Sequence, residues 1–162
     1  MVSSVPDKSR VPGQQSPFVF SGEHQQFEEA VASLAAKELR EGYLERATSD
    51  EMCWGELRRL GRHGLLGMGL PESLGGQGAD ATSRGIACEQ VAKADFNLAY
   101  LVFASEMAAA VVRGLAPAVA DPLARAVAAG ERLVALALTE PRGGSDASGT
   151  AVRARPVPGG HV

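Results

Sequence analysis

The chain has 162 residues, 45% of them hydrophobic and 22% charged, with a formal net charge of −3 and a pI near 5.6. That is the length of about one domain with enough apolar material for a core, and its mildly acidic balance leaves no electrostatic footprint for nucleic acid or an anionic membrane surface. Cys53 and Cys88 lie far apart and outside any CxxC spacing, which points to reduced intracellular thiols and a cytoplasmic protein.

Residues 1–20 carry Pro6, Pro12 and Pro17 among serines, glutamines and charges and lack the apolar stretch of a signal peptide, so they are expected to form a disordered tail. The first helical signal follows Ser21, with Phe27, Val31 and Leu34 at helical spacing and Gly42 marking its end. Thr48 and Glu51 have capping-box spacing ahead of a second helix, whose Trp54, Leu57 and Leu60 would face inward and which Gly64 would stop in a left-handed conformation. Residues 64–80 contain six glycines and Pro71, which forbids a regular helix there. Asp80 caps a third helix to about Ala94, and Asn97 a fourth over Leu98–Arg113, closed by Gly114 and apolar almost all round, hence central. Asp121-Pro122 reads as a cap and first-turn proline for a fifth helix that Gly130 closes. No segment reaches the roughly 18 apolar residues of a membrane span; the nearest, Leu98 to Val112, is interrupted by Glu106.

The period then changes. Leu133 to Leu138 is a continuous apolar run that reads as a buried strand, broken soon after by Pro141. A second strand is expected over Ala151–Arg155, a hairpin turn at Pro156–Gly160, and a returning strand from His161. Five helices are therefore followed by the opening of a β domain. A domain does not ordinarily finish inside a hairpin with an open strand edge, so the chain is expected to be partial.

Between the two strands lies Thr139-Glu-Pro-Arg-Gly-Gly-Ser-Asp-Ala-Ser-Gly149. Gly143 and Gly144 let backbone approach a ligand and present a row of N–H donors, and Ser145 adds a hydroxyl. Such a loop suits a pyrophosphate or the edge of a heteroaromatic ring. Asp146 would repel phosphate, so its role is to stabilise the turn through local backbone bonds. Other chemistry is poorly supported. Gly143 to Ala147 lacks the last glycine of a nucleophile elbow, and His24, His63 and His161 are scattered. Gly67-Met-Gly69-Leu-Pro71 lacks the third glycine of a dinucleotide fingerprint.

The stretch Thr139 to Asp146 after an apolar run resembles the TEPxxGSD signature of the acyl-CoA dehydrogenase family. Leu60-Gly-Arg-His-Gly-Leu-Leu-Gly67 followed by Leu70-Pro-Glu-Ser-Leu-Gly-Gly-Gln-Gly78, and then Ala129-Gly130-Glu131, resemble further landmarks of that family in the same order. The resemblance covers about residues 21–162. It implies a mainly α chain: an N-terminal up-down helical bundle over residues 21–131, then residues 132–162 as the incomplete first strands of a β-barrel-like middle domain. It implies an oxidoreductase of fatty acid metabolism that binds FAD and desaturates an acyl-CoA thioester, a glutamate taking the α-proton and the flavin the β-hydride. Electrons would pass to an electron-transfer flavoprotein or similar acceptor, and the full-length family forms homo-oligomers. By the same resemblance Leu136, Leu138, Thr139, Gly144 and Ser145 hold the flavin, and Ser145 also meets the acyl-CoA. Leu98 to Phe103 would line an acyl pocket or simply pack in the core.

The departures are Gly143 where a small residue such as alanine is common, Arg142 in place of a small or acidic residue, and Leu136 where several members have an aromatic. The family's tryptophan-centred flavin motif and the domain with its catalytic glutamate have no counterpart here, so no residue inherits the role of base. Two alternatives stand beside the dehydrogenase: a non-catalytic helical interaction or acyl-binding module, and part of a flavin monooxygenase or oxidase of the same fold.

Overall fold

A computed structural model describes residues 20–141 and 143–162. The tail expected at residues 1–20 lies outside these except for Phe20, and so does Arg142. Six α-helices follow in order among the described residues: α1 Gly22–Glu38, α2 Tyr43–Thr48, α3 Trp54–Arg62, α4 Ala81–Ala94, α5 Phe96–Leu115 and α6 Pro117–Ala128. The protein is mainly helical, as its pattern implies. Two helices begin where cap chemistry places them. Ser21 Oγ accepts from the His24 N–H at 3.1 Å to start α1, and Asp80 Oδ1 accepts from the Ser83 N–H at 2.7 Å to start α4. Gly64, at φ +70°, turns the chain out of α3 as expected, and Leu65 N–H returns to the Leu60 carbonyl at 2.9 Å.

Several boundaries differ from expectation. Helix α1 ends at Glu38, and Gly42, at φ +74°, instead precedes the short α2. Thr48 closes α2 rather than opening a helix. Its hydroxyl donates back to the Leu44 carbonyl at 3.0 Å, and Glu51 N–H goes to Ser49 Oγ at 3.0 Å, so no capping box forms. Leu57 and Leu60 are buried, but Trp54 stands at the first turn of α3 and is exposed. Asn97 does not cap α5; Asp95 does, and the helix opens at Phe96 and runs past Gly114. Asp121-Pro122 falls inside α6, which opens at Pro117, because Asp121 pairs with Arg113 at 3.3 Å instead of capping.

The irregular stretch 64–80 folds back on itself around a 3-10 turn at Glu72–Leu74. Gln77 and Ala79 N–H both reach the Met68 carbonyl, at 3.1 and 2.9 Å, and Gly78 N–H reaches that of Leu70 at 2.9 Å. A Cβ on Gly76 would stand 2.0 Å from the Leu70 carbonyl oxygen, so the fold-back needs glycine there. It carries Leu65, Leu66, Met68, Leu70 and Leu74 into the interior.

Helix α1 packs along α4, α4 along α5, and α5 along α6. The main core joins Val31, Leu39, Leu57, Leu60, Leu66, Val91 and Leu98, each worth about 1.5–3 kcal/mol on full burial. A smaller cluster joins Leu70 and Leu74 to Ala124 and Ala128 of α6. The central helix α5 buries only one side, with Leu98, Val102, Ser105 and Ala108 inward. Phe96, Tyr100, Phe103 and Met107 form an exposed apolar stripe on the other. At 20 residues α5 has the length and composition to cross a membrane, a longer segment than Leu98 to Val112; it serves as a helix of this bundle.

The strand expected over 133–138 does not form among the described residues. No neighbouring segment offers a ladder, and Leu136 and Leu138 are 43% and 53% exposed. Ala151–Arg155 likewise carries no strand. The hairpin itself is present: β1 Pro156–Val157 pairs antiparallel with β2 Gly160–His161, and Arg155 and Val162 exchange backbone hydrogen bonds at 2.7 and 2.9 Å. A barrel-like domain is not built by the described residues.

The junction of α4 and α5 turns on Asp95, 1% exposed. Its Oδ1 accepts from Asn97 and Leu98 N–H at 3.0 and 3.1 Å, and its Oδ2 takes Arg46 Nε at 2.9 Å. Arg46 also donates to the carbonyls of Leu39 and Glu41. Removing the carboxylate would leave a largely buried guanidinium with Glu56, 3.9 Å away, as its remaining charge partner. Asp95→Ala is expected to cost about 3 kcal/mol, measured by equilibrium urea unfolding. Asp95→Asn keeps a cap acceptor and should cost clearly less; equal losses would show that the charge facing Arg46 carries the whole effect and the cap none.

Candidate functional site

Two places could hold a ligand: the glycine-containing loop after residue 138, and a cavity between α4 and α5. The loop is locally organised. Glu140 and Gly143 form an isolated antiparallel bridge, with N–H to carbonyl distances of 3.1 and 3.0 Å. The Glu140 carboxylate accepts from Ala151 N–H at 2.8 Å and Val152 N–H at 2.9 Å, which ties the two ends of the loop. Asp146 accepts from Ser148 Oγ at 2.6 Å and Gly149 N–H at 3.2 Å, the local turn chemistry its position implies. These bonds hold both carboxyls below the usual carboxylate range, Glu140 through Ala151 and Val152 and Asp146 through Ser148 and Gly149.

Within this frame Thr139 and Ser145 are exposed, and their hydroxyls bond to none of the described residues. Gly144 sits against Thr139, where a Cβ would come 2.7 Å from Thr139 Oγ1. Leu136 and Leu138 stand exposed on the incoming segment. The loop brings Thr139, Gly144 and Ser145 together; Leu136 and Leu138 adjoin them along the chain.

The cavity measures about 450 Å³ and is walled by α4, α5 and Met68. Val102, Phe103, Met107 and Ala110 give it an apolar side, and Cys88 lies opposite on α4. Burial pushes the Cys88 thiol up, and Glu106 nearby adds to this. Of the run Leu98 to Phe103, Leu98, Ala99 and Val102 are core, Tyr100 is exposed, and only Val102 and Phe103 reach the cavity. Met107 and Ala110 were not anticipated; they lie one and two turns beyond Phe103 on the same face, a periodicity that the composition of the helix masks.

One polar pair interrupts the apolar wall. Arg84 Nη1 donates to Glu106 Oε1 at 2.6 Å, and Glu106 Oε2 accepts from Gly69 N–H at 3.1 Å. Among the described residues no group of three or more His, Cys, Asp or Glu side chains could hold a metal ion.

The loop's order should depend on acid. A carboxyl held below its unfolded value stabilises the loop above that value and loses this contribution as the pH falls through the lowered one. Backbone protection at Gly149, Ala151 and Val152, followed by hydrogen exchange, should persist at neutral pH and vanish only at acidities beyond the ordinary carboxylate range. Glu140→Gln should lower protection at Ala151 and Val152 at neutral pH and leave Gly149 unchanged. A flat profile in both proteins would count against the carboxylates as the organising groups.

Comparison with known proteins identifies the family. The sequence pattern described as "Acyl-CoA dehydrogenase, N-terminal domain" matches residues 21–131. A probable acyl-CoA dehydrogenase of Bacillus subtilis strain 168, YngJ, is 32% identical over 146 residues, covering 85% of this chain and 37% of the relative. Glutaryl-CoA dehydrogenase of Mycobacterium smegmatis superposes with a TM-score of 0.73 at 27% identity, covering 84% of this chain and 36% of that one. Apo-form PigA shares the fold, with a TM-score of 0.75 at 19% identity over 90% of this chain and 40% of that one. The chain spans little more than a third of the length of these relatives. With this match over residues 21–131, the chain belongs to the acyl-CoA dehydrogenase family.

Proposed function

We propose that this chain supplies the N-terminal part of a flavoenzyme that oxidises an acyl-CoA thioester to its α,β-unsaturated product. In this reading the α4–α5 cavity receives the acyl chain. The observation that carries it is the cavity itself: about 450 Å³ with an apolar side of Val102, Phe103, Met107 and Ala110, the size and character of a small-molecule site. Residues 21–131 form the helical domain, and residues 132–162 open a second one. The protein acts in the cytoplasm on acyl-CoA, passes electrons to an electron-transfer flavoprotein or similar acceptor, and works as a homo-oligomer.

The loop fits a flavin by its own chemistry. Gly144 lets the backbone pass close against Thr139, Thr139 and Ser145 offer exposed hydroxyls that bond to none of the described residues, and the exposed Leu136 and Leu138 offer apolar cover for a ring. These five residues would hold FAD, with Ser145 also meeting the acyl-CoA. FAD supplies the two-electron acceptor that no side chain can provide. Asp146 keeps its charge engaged with Ser148 and Gly149, within the turn. No residue here is assigned the α-proton. Glu106 is bound to Arg84 and Gly69, and Glu140 to Ala151 and Val152.

A second reading draws on the same cavity. Its lining residues all fall within 68–110, so the helical domain could bind an acyl group without redox chemistry. Retention of FAD by the desalted chain favours the flavoenzyme; acyl-CoA binding without any flavin affinity favours the module.

Gly85 lines the cavity from α4, and a Cβ there meets nothing within 4 Å. Gly85→Leu should fill the space while adding about 0.8 kcal/mol of helix propensity. The variant is expected to melt no lower than the parent and to bind acyl-CoA at least tenfold more weakly, by calorimetry. Unchanged affinity in a folded variant would remove the cavity from acyl binding.

A further inference from the structure

Arg84 and Glu106 stand on the wall of a cavity whose other lining is mostly apolar. Their side chains are 43% and 13% exposed, so the carboxylate is the more enclosed partner. Each is only partly satisfied by protein. Arg84 spends Nε on the Asp80 carbonyl at 3.2 Å and Nη1 on Glu106, which leaves further guanidinium N–H groups for other partners. Glu106 takes one N–H on each oxygen, from Arg84 and from Gly69, which leaves lone pairs on both. Gly69 is needed for that second bond, since a Cβ there would come 2.4 Å from Glu106 Oε1.

A plain alkyl chain in this cavity strips water from the pair and returns nothing. A carboxylate could meet Arg84 but would face Glu106. A hydroxyl can accept from the guanidinium and donate to the carboxylate at once, without adding charge. We propose that the Arg84–Glu106 pair is a specificity-determining element that selects acyl groups carrying a hydroxyl along or at the end of the chain. This rests on the cavity being the acyl site. The pair acts as one neutral, two-sided hydrogen-bonding group on an apolar wall. A site built to hydrogen-bond a substrate hydroxyl penalises the analogue that lacks it, because its own groups are then left unpaired.

The test is calorimetric binding to the full chain of three CoA thioester series, from butanoyl to octanoyl: unsubstituted, ω-hydroxy and ω-carboxy. At the length that reaches the pair, the ω-hydroxy ligand should bind about tenfold tighter than its unsubstituted counterpart, the worth of one hydrogen bond to a charged group, and the ω-carboxy ligand more weakly than the ω-hydroxy one. The double variant Arg84→Met/Glu106→Leu replaces the pair by apolar groups of similar reach, an exchange buried ion pairs often tolerate. It should lose the preference for the hydroxyl and gain affinity for the unsubstituted chain. Should that variant fail to fold, the ranking in the parent protein decides. Equal or tighter binding of the unsubstituted series at every length overturns the hydroxyl selection and leaves the acyl site standing. Preference for the ω-carboxy series overturns it too. No binding of any series overturns the acyl site itself.

Discussion

Asp95 divides its carboxylate between two tasks, and the arrangement of the helices follows from that division. One oxygen satisfies the first N–H groups of α5, and the other holds Arg46, whose remaining donors close the carbonyls left open where α1 ends. The same residue's N–H, bonded to Val91 at 2.8 Å, finishes α4. A reversal of direction within one residue between two long helices would otherwise expose several backbone groups in the interior. Burying a charge there is costly, and the cost is offset because Asp95 caps α5, its N–H finishes α4, and it anchors the Arg46 that closes the carbonyls beyond α1. The price falls on flexibility: α1, α2, α4 and α5 cannot shift independently while the pair is intact.

That rigidity is what makes the α4–α5 cavity a defined shape. The cavity lies along the length of the two helices whose junction Asp95 sets, and its third wall is Met68 from the folded-back stretch. Glu106 fastens that stretch to α5 through Gly69, and Arg84 fastens α4 to the same carboxylate. All three walls are thus connected by one side chain. Because the pair is neutral as a unit, it can serve as a fastening without filling the space with net charge.

Much of this was legible in the sequence, and the limits are physical. Asp80 could be read as a cap, and α1 could be started after Ser21, because an N-cap is a local bond between a side chain and an N–H three residues on. The fold-back at 64–80 was legible as irregular because glycine and proline act on their own backbone. Asp95 was not, because its partner Arg46 is 49 residues away and only tertiary contact reveals it; locally, Asn97 is an equally good cap. The loop at 139–149 reads well for the same reason as Ser21: the bonds of Asp146 span two or three residues. The bond from Glu140 to Ala151 and Val152 spans 11 and 12, and was visible only as membership of a motif. The candidate acyl wall was half legible. Val102 and Phe103 fell within the expected run, but Glu106 read only as an interruption of it, and nothing in the local pattern marked Arg84.

The run Leu133 to Leu138 failed as a strand for a different reason. Its composition is that of a buried β-strand, and composition was read correctly; what a strand also needs is a ladder. None of the described segments supplies one, so Ala135 to Leu138 stay exposed, while Leu133 packs against the main core without a ladder. The stripe Phe96, Tyr100, Phe103 and Met107 on α5 is exposed in the same way. Phe103 and Met107 belong at once to that stripe and to the cavity. Anything that covers the outer face of α5 therefore touches the wall of the cavity, and its contacts would set how far that space opens. The shape of the acyl site and the covering of α5 are one packing problem, because two side chains take part in both.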